Sequence, residues 1–334
     1  MKKHTNGFLL LTLVSLLVAG CSVFPATSMP VELPSPVPIS DATPSPSAEV
    51  TFSVVPPAVS DPDFRIDIVM LDPVTGLDYN TYSIPMESAS DGRWQVRIAS
   101  TIGSLLYYRY ARRSPAEAQE VNAHFEPIRA RVALVTGPVQ IEDVITAWSD
   151  VPFDGTTGRI IGEVLNATTG KGIPEIVVSA GGLITFSDGE GKFRLDDLPT
   201  GLHNVVLFSP TGVYRSAQQG AQVAADATTP VAFSLQAATP VHITFQVTVP
   251  PDHEPNAQIQ LAGNISQLGN RFVDLLGNIR TSSLHMPSLV QVDPTHYLAV
   301  LTLYSGTDLR YKYTLGDGLW NAERDDEGHF VTRQ

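Results

Sequence analysis

Apolar and polar residues alternate with a period of two in many short stretches of this chain. In "HYLAVLTLY" every second residue from Tyr297 onward is apolar, and in "RYKYTL" Tyr311 and Tyr313 share one face while Lys312 lies on the other. Such alternation is typical of half-buried β-strands, and turn pairs such as Ser305-Gly306 separate the stretches. The pattern predicts an all-β protein made of antiparallel β-sandwiches.

Four landmarks recur in the same order near the two ends of the chain, which indicates that one architecture occurs twice. Phe52 in "VTFSVVPP" corresponds to Phe245 in "ITFQVTVPP", and the later pairs are "IPM" with "HMP", "YYRY" with "RYKY", and "AHF" with "GHF". The first copy continues beyond its last landmark to Trp148, whereas the sequence ends soon after Phe330 in the second. Either the last strand of the second copy is dispensable, or the chain is the front part of a longer protein, which would leave a sheet edge exposed.

One short helix is predicted in the first copy. Ser114 can cap it, Pro115 suits the first helical position, and Glu117 completes an S-x-x-E capping box. Elsewhere short strands joined by turns are favoured over long amphipathic helices, because charged residues make up only 16% of the chain while it contains 25 glycines and 26 prolines.

The segment between the two copies has a different pattern. Its stretches "GRIIGEVLNATTGKGIPEIVVSA" and "SDGEGKFRLDDLPTG" combine strands with a long turn and a tight acidic turn. The segment covers about Thr157 to Leu235 and resembles the regulatory domain of metallocarboxypeptidases. The residues that carry the resemblance are Gly162, Val164, Gly172-Ile173-Pro174, Val177, Ser187-Asp188, Gly191, Phe193, Leu198-Pro199 and Gly201. The resemblance implies a small prealbumin-like β-sandwich and no peptidase activity.

The C-terminal copy contains the motifs "IQLAGNISQLGN", "YKY" and "LWNAE". Together they resemble the starch-binding carbohydrate-binding module, family 20, whose members hold α-glucan on aromatic faces supported by a lysine and polar groups. Carried over by position, the resemblance implies carbohydrate contacts by Trp320, Lys312, Asn321 and Glu323. Phe272 follows "LG" closely, where the family has a tryptophan, and is the second aromatic candidate. The N-terminal copy matches less well.

The candidate residues suit a sugar ring chemically. A pyranose has an apolar C–H face and a rim of hydroxyl groups, so an indole or phenyl ring can cover the face while Lys, Asn and Glu side chains hydrogen-bond the rim. Each hydrogen bond contributes about 1 kcal/mol net, and we expect an affinity of about micromolar to millimolar. The alternative is structural: Trp320 plugs the end of the sandwich and Lys312 lies on a solvated face.

The N-terminal residues have the layout of a bacterial secretory signal. Lys2 and Lys3 give a positive end, and the apolar stretch from Phe8 to Ala19 is too short to cross a bilayer core of roughly 30 Å as a helix. The following "LVAGC" resembles the bacterial lipobox, which implies that Cys21 is lipidated and becomes the mature N-terminus. Residues Ser22 to Pro46 are rich in proline and serine, so we expect them to form a disordered tether.

These observations divide the chain into five expected segments. Residues 1–20 form the signal peptide and residues 21–48 the Pro/Ser-rich tether. Three consecutive antiparallel β-sandwiches, immunoglobulin-like or prealbumin-like, then occupy residues 49–150 (starch-binding-like, divergent), 156–238 (carboxypeptidase regulatory-like) and 240–334 (starch-binding-like, with its last strand in question). Cys21 is the only cysteine, so no disulfide can form within one chain.

Charge and motifs exclude several functional classes. The net charge of −13 and the absence of long basic runs argue against nucleic acid as a partner. The sequence contains no H-E-x-x-H, G-x-S-x-G or P-loop pattern. Asp188, Glu190, Asp196 and Asp197 in the acidic turn lack the order of an EF-hand. We therefore expect no enzymatic activity, no cofactor and no metal site.

The sequence thus favours a lipid-anchored, non-enzymatic protein of the cell envelope, facing the extracellular side or the periplasm. Its expected partners are the membrane, through the N-terminal lipid, and a polysaccharide of the α-glucan class. The first alternative is a structural or adhesion spacer with protein partners and no sugar site. The second is an accessory N-terminal part of a larger surface glycoside hydrolase.

Overall fold

The structure is a computed structural model, and it describes residues 46–57, 63–74, 76, 78, 81–253, 257–272, 279–281, 283–316 and 321–334. Apart from the short 3-10 helices Ser266–Leu268 and Ser283–His285, the regular structure of these residues consists of β-strands. The all-β prediction is therefore confirmed. No helix in the described part of the chain is long and apolar enough to span a membrane. The predicted signal peptide, and the predicted tether up to residue 45, lie outside the described residues.

The first module has two sheets that share one core. Its strands are β1 (Ser47–Val55), β2 (Arg65–Met70), β3 (Tyr82–Pro85), β4 (Glu87–Ser88), β5 (Trp94–Thr101), β6 (Leu105–Ser114), β7 (Ala118–Val121), β8 (Arg131–Leu134), β9 (Val139–Val144) and β10 (Ala147–Trp148). One sheet has the order β4-β5-β1-β9, and the other has the order β10-β7-β6-β2-β3, with β8 also paired to β6. Strand β9 runs parallel to β1. Alternate side chains of β1, among them Val50, Phe52 and Val54, are fully buried in the core.

The predicted helix after Ser114 is wrong. Ser114 is the last residue of β6, the Ser114–Pro115 peptide bond is cis, and the chain enters β7 at Ala118. The Glu117 carboxylate pairs with the guanidinium of Arg113 instead of capping a helix. The antiparallel pairing of β6 with β7 satisfies the backbone groups that a helical turn would otherwise have satisfied, so tertiary pairing overrides the local capping signal.

The second module also has two sheets. Its strands are β11 (Thr157–Asn166), β12 (Val177–Ala180), β13 (Leu183–Phe186), β14 (Lys192–Pro199), β15 (Gly201–Phe208), β16 (Ala217–Val223) and β17 (Thr228–Leu235). The orders are β14-β11-β17 and β13-β12-β15-β16. As in the first module, the last strand runs parallel to the first, β17 beside β11. The buried Ser187 hydroxyl donates to the Ile173 carbonyl at 2.7 Å and accepts from the Ile176 N–H at 2.9 Å, which ties the turns of the motif together.

The third module has three small sheets. Its strands are β18 (Pro240–Thr248), β19 (Ile259–Gly263), β20 (Asn270–Phe272), β21 (Ile279–Thr281), β22 (Val290–Gln291), β23 (His296–Tyr304) and β24 (Tyr311–Leu315). The sheets are β18-β23-β22, β19-β24 and β20-β21. Isolated bridges add Ala322 beside Thr314 and Arg333 beside Tyr311.

The strand pairings of the first and third modules correspond, as the repeated landmarks predict. The pairs β1·β5 and β2·β6 have the counterparts β18·β23 and β19·β24, and Phe52 faces Val96 as Phe245 faces Ala299. The hydrogen bonds of the turn at the last landmark, however, align the two copies differently from the sequence motifs "AHF" and "GHF". Asn122 Oδ1 accepts from the N–H groups two and four positions later, and Asp325 Oδ1 does the same. The structural counterpart of Phe125 is therefore Gly328 rather than Phe330.

The three modules contact one another. A cluster of buried apolar side chains joins the first module to the second, and in it the rings of Tyr107 and Phe208 meet edge to face with centroids 6.3 Å apart. The Ser266 N–H of the third module donates to the Pro210 carbonyl of the second at 2.9 Å. Residues 45–334 accordingly form one compact unit.

Two glycines of the second module provide a matched test of its turn packing. A Cβ added to Gly172 would lie 1.9 Å from the carbonyl oxygen of Glu190, whereas one added to Gly189 would meet nothing within 4 Å. We expect Gly172→Ala to lower the free energy of unfolding by about 2 kcal/mol or more, because the neighbour is rigid backbone. Gly189→Ala should change it by less than about 1 kcal/mol. Urea unfolding of the two variants measures the difference, and equal stabilities would contradict the close approach.

Candidate functional site

Lys312, a predicted sugar contact, is buried. Its ammonium lies 3.1 Å from Oδ2 of Asp72, a residue 240 positions earlier in the first module, and both side chains are fully buried. The predicted role in sugar binding is wrong for Lys312, because a buried and paired ammonium cannot reach the hydroxyl groups of a ligand on the surface. The sequence pattern correctly placed Lys312 on the face opposite Tyr311 and Tyr313, but the first module covers that face instead of water.

Backbone and side-chain hydrogen bonds position this ion pair. The carboxylate of Asp72 also accepts from the Val74 N–H at 3.0 Å, which fixes the loop after β2. On the third module, Asp308 Oδ2 accepts from the Leu105 N–H at 3.0 Å, and the guanidinium of Arg310 donates to the Ser104 hydroxyl at 2.6 Å. The segment that enters β24 therefore lies against the first module through several polar contacts.

The other predicted carbohydrate contacts are less well defined. Trp320 lies outside the described residues, and Phe272 is described only as the last backbone position of β20. Asn321 is exposed. Glu323 is partly exposed, and its two carboxylate oxygens accept from Arg333 at 2.7 and 2.8 Å. The structure thus removes Lys312 from the candidate set and shows that Glu323 has a partner within the protein.

A buried polar cluster in the first module was not anticipated from the sequence. The guanidinium of Arg131 bonds to both Glu120 and Asp143, and the hydroxyl groups of Tyr108 and Tyr110 donate to Asp143 Oδ2 at 2.7 and 2.8 Å. Burial raises the pKa of both tyrosines well above their ordinary value, and the negative charge of Asp143 raises it further. The alternation of β9 could have indicated this cluster, because Asp143 lies two residues after the apolar Ile141 and therefore on the same inward face of the strand.

The third module repeats part of this cluster. Arg333 takes the place of Arg131, since it pairs with Glu323 and lies beside Tyr311 as Arg131 pairs with Glu120 and lies beside Tyr108. The guanidinium of Arg333 lies 5.4 Å from the centre of the Tyr313 ring, and the equivalent distance in the first module is 5.5 Å.

Exposure distinguishes the two copies of the cluster. The side chain of Arg131 is 2% exposed, whereas that of Arg333 is 46% exposed. In the first module β9 covers the cluster and supplies Asp143. Among the described residues, β18 of the third module pairs with β23 alone, so nothing described there covers Arg333 in the same way.

Two further groups of carboxylates are explained by local structure. Asp188 Oδ1 accepts from the N–H groups of Glu190 and Lys192, and these backbone donors, that of Lys192 first, lower the pKa of Asp188. The exposed side chains of Asp325, Glu327 and His329 have ligand atoms within 4.8 Å of one another. They belong to the turn that corresponds to the one at Asn122, where an amide does the same hydrogen bonding without a carboxylate.

Comparison with known proteins gives low similarities. No protein-family model matches the chain, and no curated protein matches it significantly. Similar solved structures include the TIE protein of Bacillus anthracis, 10% identical with a TM-score of 0.22, for which the alignment covers 81% of this chain and 45% of that protein. A streptococcal ancillary pilin is 12% identical with a TM-score of 0.23, covering 85% of this chain and 98% of the pilin.

A third similar structure is a candidate carbohydrate-binding protein from Bacteroides uniformis. It is 14% identical with a TM-score of 0.21, and the alignment covers 53% of this chain and 95% of that protein. At such TM-scores none of the three supports an argument about function, which depends here on the residues of this chain.

Substitutions in the Lys312–Asp72 pair test whether this buried ion pair stabilises the contact between the third and first modules. Lys312→Met leaves Asp72 charged and buried, so we expect the free energy of unfolding to fall by about 3–5 kcal/mol. The double variant Lys312→Met/Asp72→Asn should recover most of that loss, because the asparagine is neutral and its Oδ1 can still accept from Val74. Arg97→Met, which removes a surface pair with Glu49, should cost less than about 1 kcal/mol. Thermal and denaturant unfolding measure these differences. An equal loss of unfolding free energy in Lys312→Met and Arg97→Met would contradict burial of the Lys312–Asp72 pair.

Proposed function

We propose that the protein is a non-catalytic binding protein of the cell surface, tethered through a lipid on Cys21 and built as a fixed three-module scaffold. The observation that carries this proposal is the fully buried ion pair between Lys312 and Asp72. Domains of one chain move relative to one another unless their interface is extensive and apolar. A charged pair buried between the third and first modules, together with the apolar cluster between the first and second, favours a single fixed arrangement.

The use of the buried charges supports a non-catalytic role. Arg131, Glu120 and Asp143 are bound to one another inside the first module, and Lys312 and Asp72 neutralise each other at the contact with the third. Catalytic groups are usually found in clefts with pKa values tuned for proton transfer. Here the buried charges stabilise a framework, and a framework that fixes the relative positions of surface loops suits binding or adhesion.

A polysaccharide of the α-glucan class is the ligand we assign to the loop that contains Trp320 and Asn321. Asn321 is exposed directly after Trp320 in sequence, and we assign its amide to the hydroxyl rim of the sugar while the indole covers the C–H face. Glu323 offers less, because both of its oxygens bind Arg333. With Lys312 removed from the set, the weak end of the expected affinity range, about millimolar, applies. Many anchored copies on one surface compensate by avidity.

The structural alternative differs in having no sugar site. In that case the fixed modules act as a spacer or adhesin of the cell envelope with protein partners, and the Trp320 loop only closes the sandwich. A role as the accessory part of a larger surface glycoside hydrolase is the further alternative, and it also requires a functional sugar site. Sugar binding by the isolated chain therefore separates the first alternative from the others.

The glycan proposal is tested by affinity electrophoresis of the full mature chain in gels that contain soluble starch. We expect retardation of the wild type and its loss in Trp320→Ala. Asn321→Ala should weaken binding roughly fivefold, the equivalent of about one hydrogen bond. Tyr82→Ala is the matched control, because Tyr82 is an exposed aromatic of the first module and its loss should leave retardation unchanged. Normal retardation of Trp320→Ala would show that Trp320 is not the sugar contact. A wild type that is not retarded would favour the alternative of a structural spacer without a sugar site.

The anchoring proposal is tested separately in a bacterial host that processes lipoproteins. The wild type should incorporate a labelled fatty acid and sediment with membranes. Cys21→Ser should lose the label and move to the soluble fraction, since Cys21 is the only cysteine in the chain. Ser22→Ala is the control and should behave as the wild type. A Cys21→Ser variant that keeps the label would contradict anchoring at this residue.

A further inference from the structure

The outer face of the sheet β18-β23-β22 is apolar and open to solvent. We propose that this face binds the same face of a second copy of the chain, so that two third modules stack sheet against sheet. The proposal goes beyond sugar binding and does not depend on it. We call this surface the β23 face, and it consists of the outward side chains of the three strands, namely His242, Thr244, Gln246, Thr248, Val290, Leu298, Val300 and Thr302.

Alternation along β23 determines which side chains belong to the β23 face. Every second side chain from Tyr297 to Leu303 packs in the core of the third module, so Leu298 and Val300 point the other way. Val290 lies opposite Leu298 in the neighbouring strand and therefore shares its face. Val290 is 70% exposed and Val300 is 54% exposed, so bulky apolar side chains of this face are in contact with water.

The first module provides an internal comparison for the β23 face. The register makes β1, β4 and β5 the counterparts of β18, β22 and β23, with Arg97 at the position of Val300 and Glu87 at that of Val290. Each of β1, β4 and β5 contains one charged residue, whereas β18, β22 and β23 together contain no Asp, Glu, Lys or Arg. The two copies therefore differ in charge at matched outward positions, although their core-facing positions are apolar in both.

The equivalent face of the first module is open to water. The side chain of Arg97 is 72% exposed, and it lies 3.8 Å from the carboxylate of Glu49 on the same face. The two modules that follow the first one thus leave its outer face uncovered. A charged face is stable in water, but an exposed apolar patch marks an interaction surface, so burial of the β23 face requires a partner.

The absence of charge on the β23 face favours a second copy as that partner. An uncharged face offers no ion pair to an acidic or basic protein, whereas it matches itself when a two-fold axis passes through its centre. Val300 is the fifth of the nine residues of the central strand β23, so it lies close to such an axis. Two sheets can stack in this way about 10 Å apart with their side chains interdigitated.

The size of the β23 face determines how strong the dimer can be. Strands about 4.8 Å apart and about 30 Å long give this face an area of about 300–400 Å², which is well below the roughly 800 Å² per partner of a stable complex. We therefore expect a weak dimer with a dissociation constant of about 0.1–1 mM. The proposed lipid anchor would raise the local concentration of copies on one membrane, and dimerisation in solution does not require it.

Analytical ultracentrifugation of the mature chain carrying Cys21→Ser tests the dimer. We expect monomers at about 10 μM and dimers that accumulate toward about 1 mM. Val300→Arg should weaken association at least tenfold, because two guanidinium groups would meet near the axis. Gln95→Arg is the matched control, since Gln95 occupies the position of Leu298 in the first module, and it should leave association unchanged. Higher salt should strengthen the wild-type dimer, because it screens the repulsion between two acidic chains.

Cross-linking locates the contact. With Cys21→Ser the chain has no other cysteine, so Val300→Cys and Arg97→Cys each introduce a single thiol at equivalent positions of the two modules. A short bis-maleimide can bridge thiols on sheets that are stacked about 10 Å apart. It should join two copies of Val300→Cys and leave Arg97→Cys monomeric.

Three results would each overturn the proposal: a wild type that is monomeric at about 1 mM, a dimer that survives Val300→Arg, or equal cross-linking of the two cysteine variants. Loss of retardation in starch gels by Val300→Arg in a chain that is always monomeric would assign the β23 face to a glycan and would also overturn it. Trp320→Ala should leave dimerisation unchanged, so failure of sugar binding and failure of self-association are distinguishable.

Discussion

A buried ion pair lies at the contact between the first and third modules of the described structure. Lys312 and Asp72 are both inaccessible to solvent, and each would carry a large desolvation cost without the other. Their contact requires that β24 lie against the loop after β2, so it fixes the third module on the first. The polar contacts of Asp308 and Arg310 then follow from the same placement. A chain that the sequence predicts as consecutive sandwiches is thereby converted into one unit in which distant modules are neighbours.

The sequence predicted the strands better than the side-chain environments. Period-two alternation identified β23 and β24, and the repeated landmarks identified β1 and β6 as the counterparts of β18 and β24, because both signals depend on local geometry and on a fixed core. The helix after Ser114 was wrong, since pairing of β6 with β7 outweighed a local capping signal. Lys312 was wrong for a related reason: alternation shows which face a residue occupies but not which part of the chain covers that face.

The candidate site shows the same limit. The family-like motif around Trp320 predicted a set of sugar contacts, but one member is used to hold modules together and Glu323 is used to pair with Arg333. The cluster of Arg131, Glu120 and Asp143 could not be predicted from composition, because its members lie on three different strands. The pairing of β7 and β8 with β6, and of β9 with β1, brings them together. Once the first copy is known, the corresponding residues of the third copy can be read directly from the register.

The position of β1 has a mechanical consequence. The chain enters the described structure through β1, which lies between β5 and β9 and pairs with both strands from Val50 to Val54. A pull on residue 46 along the strand axis would load both ladders in shear, so many hydrogen bonds would have to break at once rather than one after another. An edge strand pulled across the sheet would unzip at far lower force. The topology of the first module is thus suited to resist tension that arrives from its amino-terminal side.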